Sequence, residues 1–155
     1  MHTLRTIGLR ARAVAAFVLL ALSLAGAALA QDTAAPAGKA LPAGGGEPGK
    51  VFMANHAAMK AGDVDGMLAT VGADQAAQMR EAQQNPEEFN GMIEMMKAFA
   101  PAEIAVTGGQ DFGDRAELTL TGKHDDGSPT TGVARMAKEG GAWKVEKVSM
   151  KSGDG

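Results

Sequence analysis

In "KVFMANHAAMKAG", His56 stands between Phe52 and Met59 at the i, i+4, i+7 spacing of one helical stripe. An imidazole on such a stripe can exchange a hydrogen bond with a bound molecule, or serve as a general acid or base near neutral pH. The plainer alternative is a ring tipped outward or satisfied by a backbone carbonyl. A catalytic base usually needs an orienting carboxylate, and the sequence identifies none for His56.

A second candidate is "EFNGMIEMMKAFAP", which places thioethers at Met92, Met95 and Met96. Copper(I) is a soft ion that accepts thioether sulfur. Copper(I) handling would require the three methionines to converge where water reaches, or His56 to join them. At roughly 100° per residue, however, Phe89, Met92, Ile93, Met96 and Phe99 fall on one continuous stripe with Met95 at its edge. That pattern reads as the oily side of a helix. Flexible methionine is a good gap-filler in a chain with one Trp and no Tyr.

The remaining constellations have local explanations. Asp63 suits a helix N-cap and Asp65 its first turn. Asp111 and Asp114 in "GGQDFGD" lack the alternating oxygens and closing Glu of a calcium loop. His124, beside Asp125 and Asp126, belongs to a polar turn. "GGGEPGK" lacks the preceding strand and the Ser/Thr of a phosphate loop. No catalytic residue, metal site or cofactor is assigned on these grounds.

Two kinds of element must position these groups. Helical periodicity begins at Lys50. Gly62 suits the left-handed close of a first helix, and "VDGMLATV" forms a short second one. Asp74 is expected to cap a third segment, "QAAQMREAQQ". Asn85-Pro86-Glu87-Glu88 signals the start of a helix running to about Ala100, with Pro86 in its first turn and Pro101 just past its end. Beyond Pro101 the period becomes two. "EIAVTG", "RAELTLTGK", "TTGVARMAK" and "AWKVEKVSM" read as four strands, each with a dry and a wet face, and "EGG" as a tight hairpin. Helices first and an antiparallel meander second predict an α+β domain over 50–152.

The N-terminus addresses the compartment. Arg5, Arg10 and Arg12 precede "AVAAFVLLALSLAGAALA", which ends in a small-x-small pattern. This is expected to be a secretory signal peptide, residues 1–30, cleaved after Ala30. The destination is then the periplasm or the extracellular space, with no membrane span after cleavage. Removing the three arginines leaves 12 Lys+Arg against 18 Asp+Glu, a net charge of −6. That sign, without basic clusters, argues against a nucleic-acid partner. The absence of cysteine excludes disulfides, thiolate metal sites and thiol catalysis. Residues 31–49, "QDTAAPAGKALPAGGGEPG", hold almost no bulky side chain and are expected to form a flexible linker.

"NHAAMKAGDVDGML" and "EGGAWKVEKV" resemble, in that order, the helix–break–helix and the closing hairpin of the nuclear transport factor 2-like (cystatin-like, polyketide-cyclase-like) superfamily. The resemblance implies a cone in which a curved four-stranded sheet wraps a long helix, expected here to be the one over Pro86–Ala100, around a cavity, with the first helix at the cavity border. Such folds serve isomerases, cyclases, dehydratases and non-catalytic binding modules alike. The Tyr-based oxyanion hole of ketosteroid isomerase-like members cannot be built without tyrosine. The expectation is a binding module for a small apolar ligand or an envelope protein partner, with His56, Phe52, Met59, Met92, Met96 and Trp143 at the helix–sheet cleft. A small hydrolase, isomerase or dehydratase using His56 is the alternative. The polar outer strand face predicts a monomer or weak homodimer.

Overall fold

The computed structural model describes residues 37–153. The expected signal peptide, its cleavage site and the first part of the expected linker lie outside the described residues. The elements run β1 (Lys39–Leu41), α1 (Gly46–Ala61), α2 (Val64–Thr70), α3 (Ala73–Ala82), α4 (Pro86–Phe99), β2 (Glu103–Asp111), β3 (Arg115–Lys123), β4 (Pro129–Glu139) and β5 (Ala142–Ser152). This is an α+β domain: four helices followed by an antiparallel sheet of five strands, completed by β1 and ordered β1-β2-β3-β4-β5.

Two expectations about the sheet are corrected. It has five strands, not four, because Lys39–Leu41 pairs with Gly109–Asp111 along the β2 edge. It is also not strongly curled, so the cone is not reproduced. The strand alternation itself holds: in β3, Ala116, Leu118 and Leu120 are buried while Arg115, Glu117, Thr119, Thr121 and Lys123 are exposed. On the outer face Glu117 meets Arg135 at 3.7 Å. The β4–β5 hairpin turns on Gly140 (φ 58°) and Gly141 (φ 85°) between the paired Glu139 and Ala142. Two consecutive positive φ angles make the primed turn whose twist matches the strands, and glycine adopts them without a Cβ penalty.

The helix ends have identifiable chemistry. Gly62 closes α1 at φ 70°, its N–H bonding back to Ala58 and Met59 carbonyls. Asp63 caps α2, accepting from the Gly66 N–H at 3.0 Å. The cap of α3 is not local. Its first residue is Ala73, and the Ala73 N–H donates to the Glu139 carboxylate at 2.9 Å, so Asp74 lies inside the first turn and does not cap. Pro86 opens α4 as expected, but the Asn85 side chain makes no cap hydrogen bond.

The larger correction concerns which helix lies on the sheet. The long methionine-bearing helix was expected in the sheet's concavity; α1 holds that place. Phe52, 2% exposed, joins Val106, Leu118, Leu120, Ala134, Met136 and Val145 in one core. A segment expected as linker makes this possible. Gly44 donates to the Val106 carbonyl at 2.8 Å. A Cβ on Gly45 would sit 2.8 Å from Val106 Cγ1, and one on Gly49 would sit 1.9 Å from the Gly44 carbonyl oxygen. The missing side chains of Gly45 and Gly49 let the start of α1 seat directly against β2 and β3. Meanwhile α4 packs on the other helices, where Phe89 and Ile93 form a second cluster with Ala58 and Met67.

Candidate functional site

A cleft of about 370 Å³ opens where the two layers meet. Its floor is α1, from which Phe52, Asn55, His56 and Met59 face it. The end of α4 and its exit contribute Met96, Phe99, Ala100 and Pro101. Ile104 of β2 and Val145, Lys147, Val148 and Met150 of β5 form the sheet wall, and Val71 and Gln75 close the remaining side. The volume is at the low end of the roughly 300–1,000 Å³ typical of small-molecule sites, and the lining is predominantly apolar as such sites require.

The wall at β5 is shaped by a bulge. Arg135 pairs with Lys147 and Met136 with Val145, leaving Glu146 as the extra residue on β5. The α2–α3 junction fastens to the same point: Val71 bridges Val145, and Gly72 donates to the Val145 carbonyl at 3.3 Å. Gln75 Nε2 donates to the Glu146 carbonyl at 2.7 Å. Asn55 Nδ2 donates to Thr70 Oγ1 at 2.9 Å, so its amide is committed to holding α1 against α2.

His56 is the buried polar residue of the cleft, at 8% exposure. Burial lowers its pKa first, because a low-dielectric surround disfavours the imidazolium. The Lys60 ammonium one turn along α1 lowers it further, and a hydrogen bond to the Pro101 backbone pulls the other way. The ring is therefore neutral at physiological pH, with one N–H donor and one acceptor nitrogen. Among the described residues no carboxylate lines the cleft, and no cluster of His, Asp and Glu is arranged to hold a metal.

The structure brings together Phe52, His56, Met59 and Met96 of the expected ligand-contacting set. It does not bring Met92 or Trp143. Met92 faces a different, wider hollow with Phe89 and the polar Gln78, Glu81, Gln84, Asn85 and Glu88. That hollow is the larger of the two, but it is more open and mixes polar with apolar side chains, so it encloses a ligand less well. Trp143 packs half-buried on the sheet-side core, with the Lys138 ammonium 4.7 Å from its ring centroid. Of the three methionines, Met92 and Met96 pack against the α4-side cluster and Met95 is 55% exposed.

Phe99 departs most from expectation. It was placed on the buried stripe and is 75% exposed, at the cleft mouth. The stripe persists to the end of α4, but the surfaces that cover its earlier residues do not extend that far. Sequence reasoning also missed the β5 residues Lys147, Val148 and Met150. The bulge at Glu146 breaks the alternation that would have assigned their faces, and no signal in the strand announces it.

Asp111 and Asp126 are turn residues. The Asp111 carboxylate accepts from the Gly113 N–H at 2.7 Å, and that of Asp126 from the Ser128 N–H at 2.9 Å and from its hydroxyl. The Ser128 hydrogen bonds hold the Asp126 pKa below the usual carboxylate range.

No protein-family model matches this chain, and neither a curated protein nor a solved structure matches it significantly.

Proposed function

We propose that this chain is an exported, non-catalytic binding module that holds a small apolar ligand in the cleft between α1, the end of α4 and β5. The observation that carries the reading is the lining itself. Phe52, Met59, Met96, Ile104, Val145 and Met150 offer apolar contact around one neutral imidazole. Burying an apolar ligand of this size gains about 25 cal/mol per Å² removed from water. The acceptor nitrogen that His56 retains, its N–H being donated to the Pro101 carbonyl, then fixes the ligand's orientation.

Acid–base catalysis is the weaker reading because His56 faces Lys60 electrostatically and no lining carboxylate would orient it. Copper(I) handling is weaker because Met92 and Met96 are engaged in packing and face different hollows. Export rests on the N-terminal pattern of residues 1–30.

The test is a titration with Nile red, a neutral apolar dye. Saturable fluorescence enhancement is expected, and it should be lost in Met96→Trp, which fills the cleft, while the melting midpoint is retained. Absence of saturable enhancement in the unaltered chain would overturn the proposal.

A further inference from the structure

The charge around the cleft is one-sided. Among the described residues, Lys147 is the only charged side chain that lines it. Glu146, next to Lys147 in the chain, faces other hollows, one beside Gly72 and Asp74 and one beside Phe112 and Arg115. The whole chain is acidic, with a formal net charge of −3, so a cation-only rim runs against the average of the surface. A neutral ligand would draw nothing from this arrangement, and a cationic one would be repelled by Lys147. Low-dielectric walls around a rim of one sign concentrate its field on whatever enters.

The apolar part of the lining lies deeper than the charge. Phe52 and Val145 are 2% and 4% exposed at the base, whereas Lys147, which also lines the cleft, is exposed. A long stem on apolar surface with its ammonium in water is the usual behaviour of lysine at such a boundary. Two other apolar side chains at the mouth are exposed, Phe99 at 75% and Val148 at 40%. The cleft thus presents an oily interior, an oily lip and one sign of charge at the exit.

We infer that the ligand is a single-headed acidic amphiphile, whose apolar tail lies among Phe52, Met59, Met96 and Val145 and whose carboxylate meets Lys147 at the mouth. This rests on the reading of the cleft as a ligand site. His56 supplies an uncharged hydrogen-bonding contact beside the tail, and Lys147 selects the head. The class is defined by chemistry: one carboxylate on an unbranched or lightly branched hydrocarbon body small enough for about 370 Å³.

The experiment compares decanoate with decanol by calorimetric titration of the full chain at pH 8 and low salt, where the acid is ionised. Decanoate is expected to bind more tightly than decanol, by about five-fold for a cation at a solvent-exposed rim. Added salt should shrink that preference. Lys147→Gln should bring the acid-to-alcohol ratio near one. Lys123→Gln, on the outer face of the sheet, should keep the ratio. Equal binding of acid and alcohol in the unaltered chain overturns the acidic-ligand inference and leaves the apolar cleft standing. A preference for decanoate that survives Lys147→Gln also overturns it. Failure of both compounds to bind overturns the cleft reading along with the inference.

Discussion

On the sheet side of α1, Leu118, Leu120, Ala134 and Met136 are completely enclosed, and the core they form reaches from β2 to β5. On the helix side the cluster is smaller. Phe89 and Ile93 each retain 7% exposure, Met59, Met79, Met92 and Met96 are only partly covered, and the stripe ends in Phe99 at 75%. The contrast follows from construction. An inward side chain on β3 has neighbours on two flanking strands and a helix above it. An α4 side chain has only other helices on one flank. The cleft lies along the seam between a tightly enclosed layer and a looser one, which places its rigid wall on the sheet and its adaptable wall on methionines. Regions with few enclosed apolar contacts open locally at lower free energy than the core.

Substitutions in the two layers break or sharpen that contrast. Leu118→Ala is expected to cost about 2–5 kcal/mol, toward the upper end because its surroundings are fully packed and collapse poorly. Ile93→Ala should fall toward the lower end of the same range, because neighbouring methionines can relax into the space. Denaturant melts of the two variants measure the difference. Equal losses would mean that the helix layer is as tightly built as the sheet layer.

Gly49→Ala tests how α1 is seated. Its Cβ would meet the Gly44 backbone oxygen at 1.9 Å, so the start of the helix must shift. The expected loss exceeds the roughly 1 kcal/mol that Gly→Ala gains at an unstrained position. A neutral or stabilising result would mean that 44–49 is the free linker its composition suggests.

That segment also shows where the sequence was legible and where it was not. Ala116, Leu118 and Leu120 announce their face because alternation directly encodes which side is dry. Gly62, Asp63 and Pro86 announce helix ends because each satisfies a local backbone requirement. The α+β class followed from these. Gly44, Gly45 and Gly49 carry no comparable signal: a glycine that must yield to a close neighbour and one that merely loosens a chain look identical until the neighbour is known. Mistaking them for linker concealed β1 and the early start of α1, and left the sheet to be covered by α4. In the cleft, Phe52, His56 and Met59 were legible from the helical stripe. Lys147, Val148 and Met150 were not, because the bulge at Glu146 redirects the strand after Val145.

A smaller effect is expected from pH. Burial and Lys60 hold the His56 pKa below its unfolded value of about 6.5. The unfolded chain therefore binds the proton more readily, and protons favour unfolding across the interval between the two values. The stability associated with neutral His56 is complete above about pH 6.5 and declines as pH falls through 6.5 toward the lower folded pKa. Melting midpoints between pH 8 and pH 5 should show this decline, and His56→Gln should flatten it. Lys60→Gln should reduce the slope without removing it, since the lysine is the second cause after burial. A decline that persists unchanged in His56→Gln would assign it to other groups.

The smallest expected change in stability is that of Phe99→Ala, and it separates folding from binding most cleanly. A side chain that is 75% exposed has little packing to lose, and surface substitutions usually stay within about 0.5 kcal/mol. Ala also has the higher helix propensity, a small gain at the last residue of α4. The melting midpoint should therefore hardly move. Nile red affinity should weaken, because Phe99 lines the mouth of the cleft and its ring is available to cover a bound ligand. If instead the midpoint falls as far as it does for Ile93→Ala, Phe99 is packed against something in solution, and the loose end of α4 is a covered surface. If neither the midpoint nor the dye affinity moves, the lip of the cleft plays no part in binding, and the ligand must be held by the enclosed residues alone.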